Sequence, residues 1–551
     1  MNNTLITLGC IVLMALGINF TEVQSSEGSN PSEAALLSNV PSKKVELDQQ
    51  IIQKTINLNH PKREFRAAWV TTFSNLDWPS KRGLTSDEQK EEFINILNQF
   101  EKSKINAVIV QVRAAADAFY PSELAPWSAW LSGNQGEAPS PYYDPLAFMI
   151  EECHKRNMEF HAWFNPFRAV SHTKFSSVAN NHISNTNKEM FFYYGESVYF
   201  NPGLQEVQNH IKAVVAEVVN NYDIDGIHFD DYFYPYTIND RDIPDHHTYN
   251  KYCTDSTMSI KDWRRNSINQ LVKSIGDTIK KIKPYVKFGI SPYAVWRNNK
   301  EDSLGSKTYS GQTSYDNLYC DTKLWMTKGW VDYMAPQLYW STKSKYTNYH
   351  HLIDWWNNNN INRHLYIGHA IYKLDIKNKH SYETAELVDQ INISRTKSTV
   401  EGNIFFRADA FMRNHQDFIS TFEEGIYKYP ALVPQMKWID SIPPDAPKKL
   451  SSKILLKEFV ELKWQNPEGS NLSKAVSEMN EVSYFVVYKL KKEPSSTDNL
   501  IPENIISIQK TNRLTVLWED TETPTWYVVT AVDRLHNESE SFVYTYIKPK
   551  K

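Results

Sequence analysis

Strand-like and helix-like segments alternate from Arg66 to Tyr427, and this alternation restricts the fold more than any other feature of the sequence. The eight predicted strands are, in chain order, Arg66–Thr72, Ala107–Arg113, Glu159–Asn165, Gly226–Asp231, Val286–Ser291, Val331–Gln337, Leu365–His369 and Asn403–Arg407. Short strands that alternate with helical patterns indicate parallel βα units. Eight such units predict an α/β fold, a (β/α)8 TIM barrel, whose functional side chains lie at the carboxyl ends of the strands.

Helix start signals occur between these strands. Asp144 followed by Pro145 predicts an N-cap and a first helical position for a helix over Leu146–Arg156. The same device at Asn201 and Pro202 predicts the start of another helix.

The pattern changes after residue 447, where strands occur without helices. The predicted strands are Val460–Trp464, Ser483–Leu490, Leu514–Trp518, Trp526–Val532 and Ser541–Ile547. Turn residues separate them, which predicts a small all-β immunoglobulin-like sandwich that is similar to a fibronectin type III domain. The predicted organisation is a barrel over residues 61–430, a linker over 431–449 and a sandwich over 450–551.

The first residues form an apolar run, Leu5–Ile18, that has the length of a signal-peptide core. A membrane span needs roughly 20 apolar residues, so this run is too short for one. We expect a signal peptide over residues 1–25 and a polar, disordered leader over 26–60. The protein is then secreted or periplasmic, which leaves open a loose envelope or membrane association through the N-terminus; lipid attachment at Cys10 is the less favoured alternative.

The composition excludes several classes of function. A net charge of −4 gives no basic surface for nucleic acid, so nucleic acid is not expected as a partner. Four cysteines in 551 residues exclude a disulfide scaffold, although a bridge between Cys253 and Cys320 stays open. The chain contains no CxxC or HExxH motif, and we predict neither a metal nor another cofactor.

Side-chain alternation along the strands sorts polar residues to one end of the barrel. In the fourth predicted strand, His228 and Asp230 share the parity that faces the lumen, whereas Ile227 and Phe229 face the helices. The same sorting predicts a set of inward residues near strand ends, namely Gln111, Arg113, His161, Asn165, Ser291, Gln337, His369 and Arg407, with Asp409 just beyond. Any one of these residues can be explained as part of a hydrogen-bonded polar network in the core, whereas the whole set favours a functional site. The assignment depends on the strand register, because a shift of one residue would exchange the inward and outward side chains.

The segment Asp223–Tyr236 contains the highest density of candidate functional residues. Asp230 is inward and at the strand end, where a catalytic carboxylate is expected, and Asp231 follows it. Adjacent carboxylates raise one another's pKa, so that one can stay protonated as an acid. The alternative for Asp231 is a surface or loop-capping role. Aromatic residues follow strands 3 to 6, and rings around carboxylates suit a carbohydrate, whose apolar faces stack on them.

Several motifs together resemble the glycosyl hydrolase-like 10 family of bacterial TIM-barrel proteins. They are Arg66–Val70, Asn75–Pro79, Gln111–Arg113, Asp117–Ser122, Pro126–Ser128, Tyr143–Leu146, His161–Arg168 and Gly226–Pro235. The resemblance covers about residues 60 to 430 and implies a barrel glycosidase of the bacterial envelope, since a characterised enterobacterial relative cleaves peptidoglycan glycan strands. The fourth strand also partly resembles the DGxDxDxE motif of chitinases, but Tyr232 stands where their catalytic Glu would be, so that mechanism does not carry over.

The sequence therefore predicts a glycoside hydrolase that acts on an amino-sugar polymer, with peptidoglycan glycan strands as the polysaccharide partner. Asp230 and Asp231 are the predicted catalytic residues. The predicted substrate-binding residues are Arg113, Asp117, Tyr120, Trp163, Asn165, Arg168, His228, Tyr232, Tyr234, Tyr293, Trp296, Gln337, Tyr339, His369 and Arg407.

Two points stay open at the level of sequence. Asp230 is expected to be the first carboxylate, acting as nucleophile, base or stabiliser of an oxocarbenium-like centre. The general acid could be Asp231, Asp117, Glu123 or Asp409, and a 2-acetamido group of the substrate could itself supply the nucleophile. The rival function is a non-catalytic glycan-binding or envelope scaffold protein on a degenerate glycosidase barrel. The oligomeric state is not predicted.

Overall fold

The computed structural model describes residues 60–174, 178–456, 458–467, 478–518 and 524–548. The predicted signal peptide, and the predicted leader up to residue 59, lie outside these ranges. Eight parallel strands form a closed barrel in chain order, and the eighth pairs with the first. These barrel strands are Phe65–Val70, Ala107–Arg113, Glu159–Phe164, Gly226–Phe229, Lys287–Ile290, Tyr333–Met334, His364–His369 and Val400–Phe405. The predicted (β/α)8 barrel is confirmed.

Helices follow the barrel strands, and the longer ones cover the outer faces of the strands. Their bounds are Ser86–Lys102, Ala129–Ser132, Pro145–Lys155, Ile183–Thr186, Gln205–Asn221, His246–Tyr252, Ile260–Ile282, Thr322–Lys328, Tyr349–Asn359, Thr384–Arg395, Ala408–Arg413 and Phe418–Thr421. Apolar side chains at helical spacing pack against the outward parity of the strands and form the main core.

The two predicted helix starts have different outcomes. The Asp144 side chain accepts a hydrogen bond from the Ala147 N–H, so the predicted N-cap is confirmed. The prediction at Asn201 is wrong, because the helix begins at Gln205 and its cap position is Leu204. The Asn201 side chain is engaged before the helix, since its oxygen accepts from the N–H of Gly203 at 3.1 Å.

Large side chains fill the barrel lumen below the carboxyl end. Tyr333 lies at its centre, and its hydroxyl hydrogen bonds to Nδ1 of His161 at 2.8 Å and to Nδ1 of His228 at 2.9 Å. The fifth strand has Gly289 opposite this ring, where a Cβ atom would lie only 1.9 Å from Tyr333. The lumen is therefore a packed core, and a substrate can meet polar groups only at its rim.

A three-stranded antiparallel sheet that the sequence did not predict lies after the third barrel strand. Its strands are Arg168–Val170, Phe191–Tyr194 and Ser197–Phe200. The first of them begins directly after the rim residue Asn165, so this insertion builds one wall beside the barrel mouth.

Two antiparallel sheets form the C-terminal part. One contains Lys448–Leu455, Phe459–Gln465 and Arg513–Leu517, and the other contains Ile505–Gln509, Val482–Leu490, Thr525–Asp533 and Val543–Ile547. The all-β character is confirmed, whereas the fibronectin type III likeness and the domain boundaries stay predictions. Sequence analysis missed the Lys448–Leu455 strand because most of its side chains are exposed, which leaves only a weak hydrophobic alternation.

The C-terminal sheets contact the amino end of the barrel, opposite the rim. The ring of His536 hydrogen bonds to Glu159, the first residue of the third barrel strand. Lys62 forms a 2.7 Å ion pair with Glu538, and the guanidinium of Arg534 lies 4.0 Å from the ring centre of Tyr285. These contacts cover the amino end of the barrel. We assign them to stability, because the functional residues of a TIM barrel lie at the carboxyl end.

The remaining structural predictions concern cysteines and membranes. Cys153, Cys253 and Cys320 are free thiols, so the disulfide left open by the sequence is not formed. Within the described ranges, no helix is long and apolar enough to cross a bilayer.

Candidate active site

Asp230 lies just beyond the fourth barrel strand and is 4% exposed. Its Oδ2 accepts hydrogen bonds from the indole N–H of Trp163 and from the amide of Asn165, both at 3.1 Å. Its Oδ1 accepts a longer bond of 3.3 Å from the backbone N–H of Tyr232, its one partner among the described residues. One carboxylate oxygen is thus fixed by the third strand and the other stays available to a reacting atom.

The environment of Asp230 favours its protonated form. Burial raises the pKa of Asp230 to about 7, and the charge of Asp231 adds to this rise. The Arg168 cation and the hydrogen bond from Trp163 act in the opposite direction. A carboxyl group with this pKa can hold a proton near neutral pH and release it to a leaving group.

Asp231 is also buried and has a different set of partners. The hydroxyl of Tyr236 donates a short hydrogen bond to its Oδ2, and the Gln337 amide, which donates to the Ser291 carbonyl at 3.0 Å, also acts on its charge. Burial raises the pKa of Asp231, while the bond from Tyr236 and the nearby Gln337 amide oppose the rise. The charge of Asp231 thus adds to the acidity shift of Asp230, while the two carboxyl groups have different hydrogen-bond partners.

Arg168 connects this pair to the wall of the mouth. Its backbone N–H donates to the side-chain oxygen of Asn165 at 2.9 Å, which also orients the Asn165 amide toward Asp230. Its guanidinium lies 4.4 Å from the ring centre of Tyr232 and 4.8 Å from that of Phe73. The cation is thus held in place by two aromatic faces, and its charge lowers the pKa of both carboxyl groups.

Aromatic side chains surround the carboxyl pair. Tyr293 packs edge-on against Tyr236 at 6.2 Å and against Trp340 at 5.7 Å. Tyr339 stacks on Phe406 at 5.9 Å, and Asp231 is among the charges that act on its hydroxyl. Tyr232, Tyr236, Tyr339 and Trp340 are partly exposed, so aromatic faces border the rim.

The structure brings together seven of the predicted substrate-binding residues around Asp230 and Asp231. They are Trp163, Asn165, Arg168, Tyr232, Tyr293, Gln337 and Tyr339. Their elements are the third to sixth barrel strands and the loops that follow them.

His228 faces the lumen as predicted but lies below the rim and is fully buried. Its Nε2 accepts from the Trp69 indole at 3.2 Å, and burial lowers its pKa well below the usual range. A neutral, fully bonded ring supports the layer under Asp230 and is not placed to touch a substrate.

The prediction that His369 faces the lumen is wrong. Tyr366 of the same strand lies in the lumen, so His369, three residues on, points to the helix side. There its ring nitrogens bond to Gln390 at 3.0 Å and to Asn403 at 2.8 Å. Gly368 occupies the inward position next to it. Because glycine has no side chain, nothing in the sequence indicated that this residue, and not His369, faces the lumen.

Three further predicted residues lie in packing positions away from the carboxyl pair. Tyr234 is fully buried and donates to Asp245 at 3.2 Å. Trp296 is 5% exposed and stacks on Trp355 at 5.6 Å. Arg407 donates to the Leu76 carbonyl at 2.6 Å and pairs with Asp409 at 3.0 Å.

Arg113, Asp117 and Tyr120 form a separate group beyond the second strand. A register irregularity between Gln111 and Arg113 ends the regular alternation, which explains why the predicted inward orientation of Arg113 fails. Its guanidinium instead lies 5.9 Å from the ring centre of Phe200, in the wall sheet. Asp117 accepts from Gln135, and Tyr120 packs edge-on against Tyr222.

Asp117 and Asp409, two of the alternative general acids, have the partners just described. Glu123 is an exposed residue whose backbone N–H donates to Glu217 at 2.8 Å. Asp231 is the candidate that contributes directly to the environment of Asp230. In the part of the chain that the structure describes, no group of three or more His, Cys, Asp or Glu side chains is arranged to hold a metal ion.

Sequence analysis did not assign two residues that contact the site. Tyr236 bonds to Asp231, and Phe73 faces the Arg168 cation. Tyr236 was visible in the aromatic run after the fourth strand, but nothing in the sequence separates its role from those of its neighbours. Phe73 follows the end of the first strand, and this position could have identified it as a residue of the barrel rim.

The model of the family described as glycosyl hydrolase-like 10 matches residues 64–384. This chain belongs to that family. The glycosyl hydrolase YngK of Bacillus subtilis strain 168 is 42% identical over 486 residues, which cover 87% of this chain and 92% of the relative. The glycosyl hydrolase DigH of Escherichia coli strain K12 is 38% identical over 368 residues, which cover 62% and 83%. These matches confirm the predicted family and, at the level of the family, the predicted glycosidase class of enzyme.

Among solved structures, the glycoside hydrolase domain of PgaB (BpsB) from Bordetella bronchiseptica aligns with 65% of this chain and 98% of its own length. The two share 11% sequence identity, with a TM-score of 0.42. This similarity is too distant to carry an inference about function.

Proposed function

We propose that this protein hydrolyses glycosidic bonds within an amino-sugar polymer, and that its substrate is the glycan strand of peptidoglycan. The observation that carries the proposal is the buried Asp230–Asp231 pair at the carboxyl end of the barrel, with different hydrogen-bond partners for each carboxyl group. Membership of a glycosyl hydrolase-like family supports the reaction class. The choice of peptidoglycan strands rests on the family resemblance of the sequence.

Asp230 is proposed as the general acid rather than as the nucleophile, base or stabiliser expected from the sequence, because its raised pKa favours the protonated form. Its Oδ2 is occupied by Trp163 and Asn165, so the proton resides on Oδ1 and can pass to the glycosidic oxygen as the bond to C1 breaks. A pKa of about 7 suits this donation near neutral pH. The resulting Asp230 carboxylate then accepts a proton from the water that completes hydrolysis.

Asp231 is proposed as the partner carboxylate. The Tyr236 hydroxyl donates to it, and this bond and the nearby Gln337 amide favour its ionised form. In this form it can stabilise positive charge at C1, or accept the N–H of a 2-acetamido group whose carbonyl oxygen attacks C1. The second route needs only one protonated carboxyl group, and it explains how a site with Tyr232 at the position of the chitinase Glu can act on an amino sugar.

The partly exposed rings of Tyr232, Tyr339 and Trp340 are proposed to contact the apolar faces of sugar units. The Arg168 cation lies against the Tyr232 ring and its charge acts on both carboxyl groups, so we propose that it bonds sugar hydroxyl or carboxylate oxygens. We also propose that the protein is exported to the bacterial envelope, because its substrate lies there and its apolar N-terminal run has signal-peptide length.

The test is the release of new reducing ends from purified peptidoglycan glycan strands that lack stem peptides. The wild type should release them, and Asp230→Asn should lower the rate by roughly 10²–10⁴-fold, the range of general acid catalysis. Asp277→Asn is the matched control, because this aspartate is exposed on the Ile260–Ile282 helix, where it pairs with Lys273. Binding of strands without reducing ends would support the scaffold alternative instead.

A further inference from the structure

Two tyrosine side chains at the carboxyl end of the barrel are far more exposed than the aromatic residues around the carboxyl pair. Tyr309 is 69% exposed and Tyr346 is 61% exposed. Tyr309 lies in the segment after the fifth barrel strand and Tyr346 in the segment after the sixth, and the N–H of Tyr309 donates to the carbonyl of Tyr346 at 3.1 Å. Neighbouring exposed apolar groups mark a binding surface, whereas single ones are ordinary.

The segment with Tyr309 is continuous with the candidate active site. Tyr236, which donates to Asp231, lies 6.2 Å from the ring of Tyr293. The hydroxyl of Tyr293 hydrogen bonds to the hydroxyl of Ser310 at 2.9 Å, and Ser310 is the chain neighbour of Tyr309. Two tyrosine rings and a serine thus connect Asp231 with Tyr309, which places Tyr309 beyond the sugar units that contact the carboxyl pair.

A buried amide fixes the backbone on both sides of Tyr309. Asn298 is 7% exposed, and its Oδ1 accepts the Thr308 hydroxyl at 3.0 Å and the Ser310 N–H at 2.9 Å. Its amide group donates to the Ser310 carbonyl at 2.9 Å. Because the backbone is already ordered, little conformational freedom is lost when the Tyr309 ring contacts a ligand.

The segment with Tyr346 is fixed in a similar way. The amide of Asn348 donates to the carbonyls of Thr342 at 2.6 Å and Ser344 at 3.0 Å. The N–H and the hydroxyl of Thr342 donate to Glu386 at 2.6 and 2.7 Å. Both exposed tyrosines therefore stand on hydrogen-bonded backbone, as a preorganised binding surface requires.

Positive charge accompanies the two rings. Lys307 lies two residues before Tyr309, and Lys343 and Lys345 lie just before Tyr346. The Nζ of Lys345 is 5.4 Å from the ring centre of Tyr346. All three lysines are exposed, and none of them forms an ion pair with another described residue. A ligand with apolar faces and negative charges would match this surface.

The acidic residues of these segments do not cancel this charge. Asp302 and Asp316 both pair with Arg297, at 2.6 and 2.9 Å. Glu301 is exposed and follows Lys300 directly, and residues 341–348 contain no acidic side chain.

We propose that Tyr309 and Tyr346, together with Lys307, Lys343 and Lys345, form a distal subsite for the glycan strand. The rings contact apolar faces of sugar units that lie several units from the cleaved bond, and the lysines pair with carboxylates of the strand. This inference rests on the proposed function and specifies its substrate as a long strand with free carboxylate groups, which a peptidoglycan strand presents when its stem peptides are absent.

Strand length provides the first test. The wild type should have a higher kcat/KM on long strands than on tetrasaccharide fragments of them. Replacing both rings, with Tyr309→Ala and Tyr346→Ala together, should lower the ratio of the two kcat/KM values by roughly 10-fold. Tyr544→Ala is the matched control, because it removes an exposed tyrosine of the C-terminal sheets and should keep the ratio.

Strand charge provides the second test. Lys307→Gln and Lys345→Gln together should raise KM for native strands by roughly 3-fold or more at low ionic strength, with less effect in high salt. Strands whose carboxyl groups have been reduced to alcohols should not respond to the same double substitution. Lys281→Gln, an exposed position on the Ile260–Ile282 helix, is the control.

The failures of the subsite and of the proposed function are distinguishable. An unchanged length ratio in the double tyrosine variant would overturn the subsite while leaving the reaction in place, whereas a wild type that releases no reducing ends would contradict the proposed function. Strand binding, measured by tryptophan fluorescence, then tests the subsite without turnover. The double tyrosine variant should bind long strands roughly 10-fold more weakly. Equal affinity would overturn the subsite, and so would a wild-type dimer that the same variant converts to monomer, since a second copy would then be the occupant.

Discussion

The indole N–H of Trp163 donates a 3.1 Å hydrogen bond to Oδ2 of Asp230. The two side chains come from neighbouring strands of the barrel, since Trp163 is paired with His228 in the sheet register. A rigid ring on one strand thus sets the orientation of the carboxyl group at the end of the next. The predictions below follow from this fixed carboxyl group and from the charges around it.

Removing the neighbouring charge should change the acidity of Asp230. In Asp231→Asn the like charge is absent, so the pKa of Asp230 should fall below its value of about 7. The basic limb of the pH profile of kcat/KM should then move to lower pH, with a loss of roughly 10²-fold or more in kcat. A profile that keeps its limb while kcat falls would show that the two carboxyl groups do not interact.

Removing the cation should have the opposite effect. Arg168 lowers the pKa of Asp230, so Arg168→Gln should move the basic limb of the same profile to higher pH. Arg168→Lys is the control, because it retains the positive charge and should leave the limb close to that of the wild type. A shift of equal size in both variants would point to lost packing on Phe73 and Tyr232 rather than to charge.

The hydroxyl of Tyr236 should matter for turnover. Tyr236→Phe removes the donor to Asp231, and a hydrogen bond to a charged group contributes about 1.5–3 kcal/mol, so kcat should fall by roughly 10–100-fold. Tyr234→Phe is a matched comparison, because its hydroxyl bonds to Asp245 at 3.2 Å instead. That variant should lose stability while the folded enzyme keeps its kcat.

The amino end of the barrel should control stability without affecting chemistry. Glu159 is buried and bonds to Lys287, His161 and His536. Glu159→Gln leaves the Lys287 cation without its partner, so the free energy of unfolding should fall by about 3–5 kcal/mol. Glu151→Gln, an exposed helix position, serves as the control. Loss of kcat in the folded Glu159→Gln enzyme would contradict the assignment of this end to stability.

The same residue gives a pH prediction for stability. Opposite charges hold the pKa of Glu159 well below its usual range in the folded protein, so the ionised form is favoured there. This contribution is fully present above about pH 4.5 and is lost as the pH falls below it. Glu159→Gln should therefore flatten the acid side of the Tm-against-pH curve.

The fold could be predicted because short strands and helices leave distinct periodicities along the chain. The position of Asp230 followed from the parity of one four-residue strand, Gly226–Phe229, with apolar residues on its outer face. The predicted inward orientation was wrong at two residues. At Arg113 the backbone departs from regular alternation. At His369 the true inward position is the neighbouring Gly368, which has no side chain and so gives no hydrophobic signal. The contact between Tyr236 and Asp231 depends on loop geometry, which no periodic signal reports.

The most direct test of the account is the pH dependence of kcat/KM for reducing-end release from glycan strands by the wild type. If protonated Asp230 is the general acid, activity should fall with a basic limb near pH 7, and the residual activity of Asp230→Asn should show no such limb. A wild-type rate that stays constant or rises from pH 6 to pH 9 would contradict the central role assigned to Asp230.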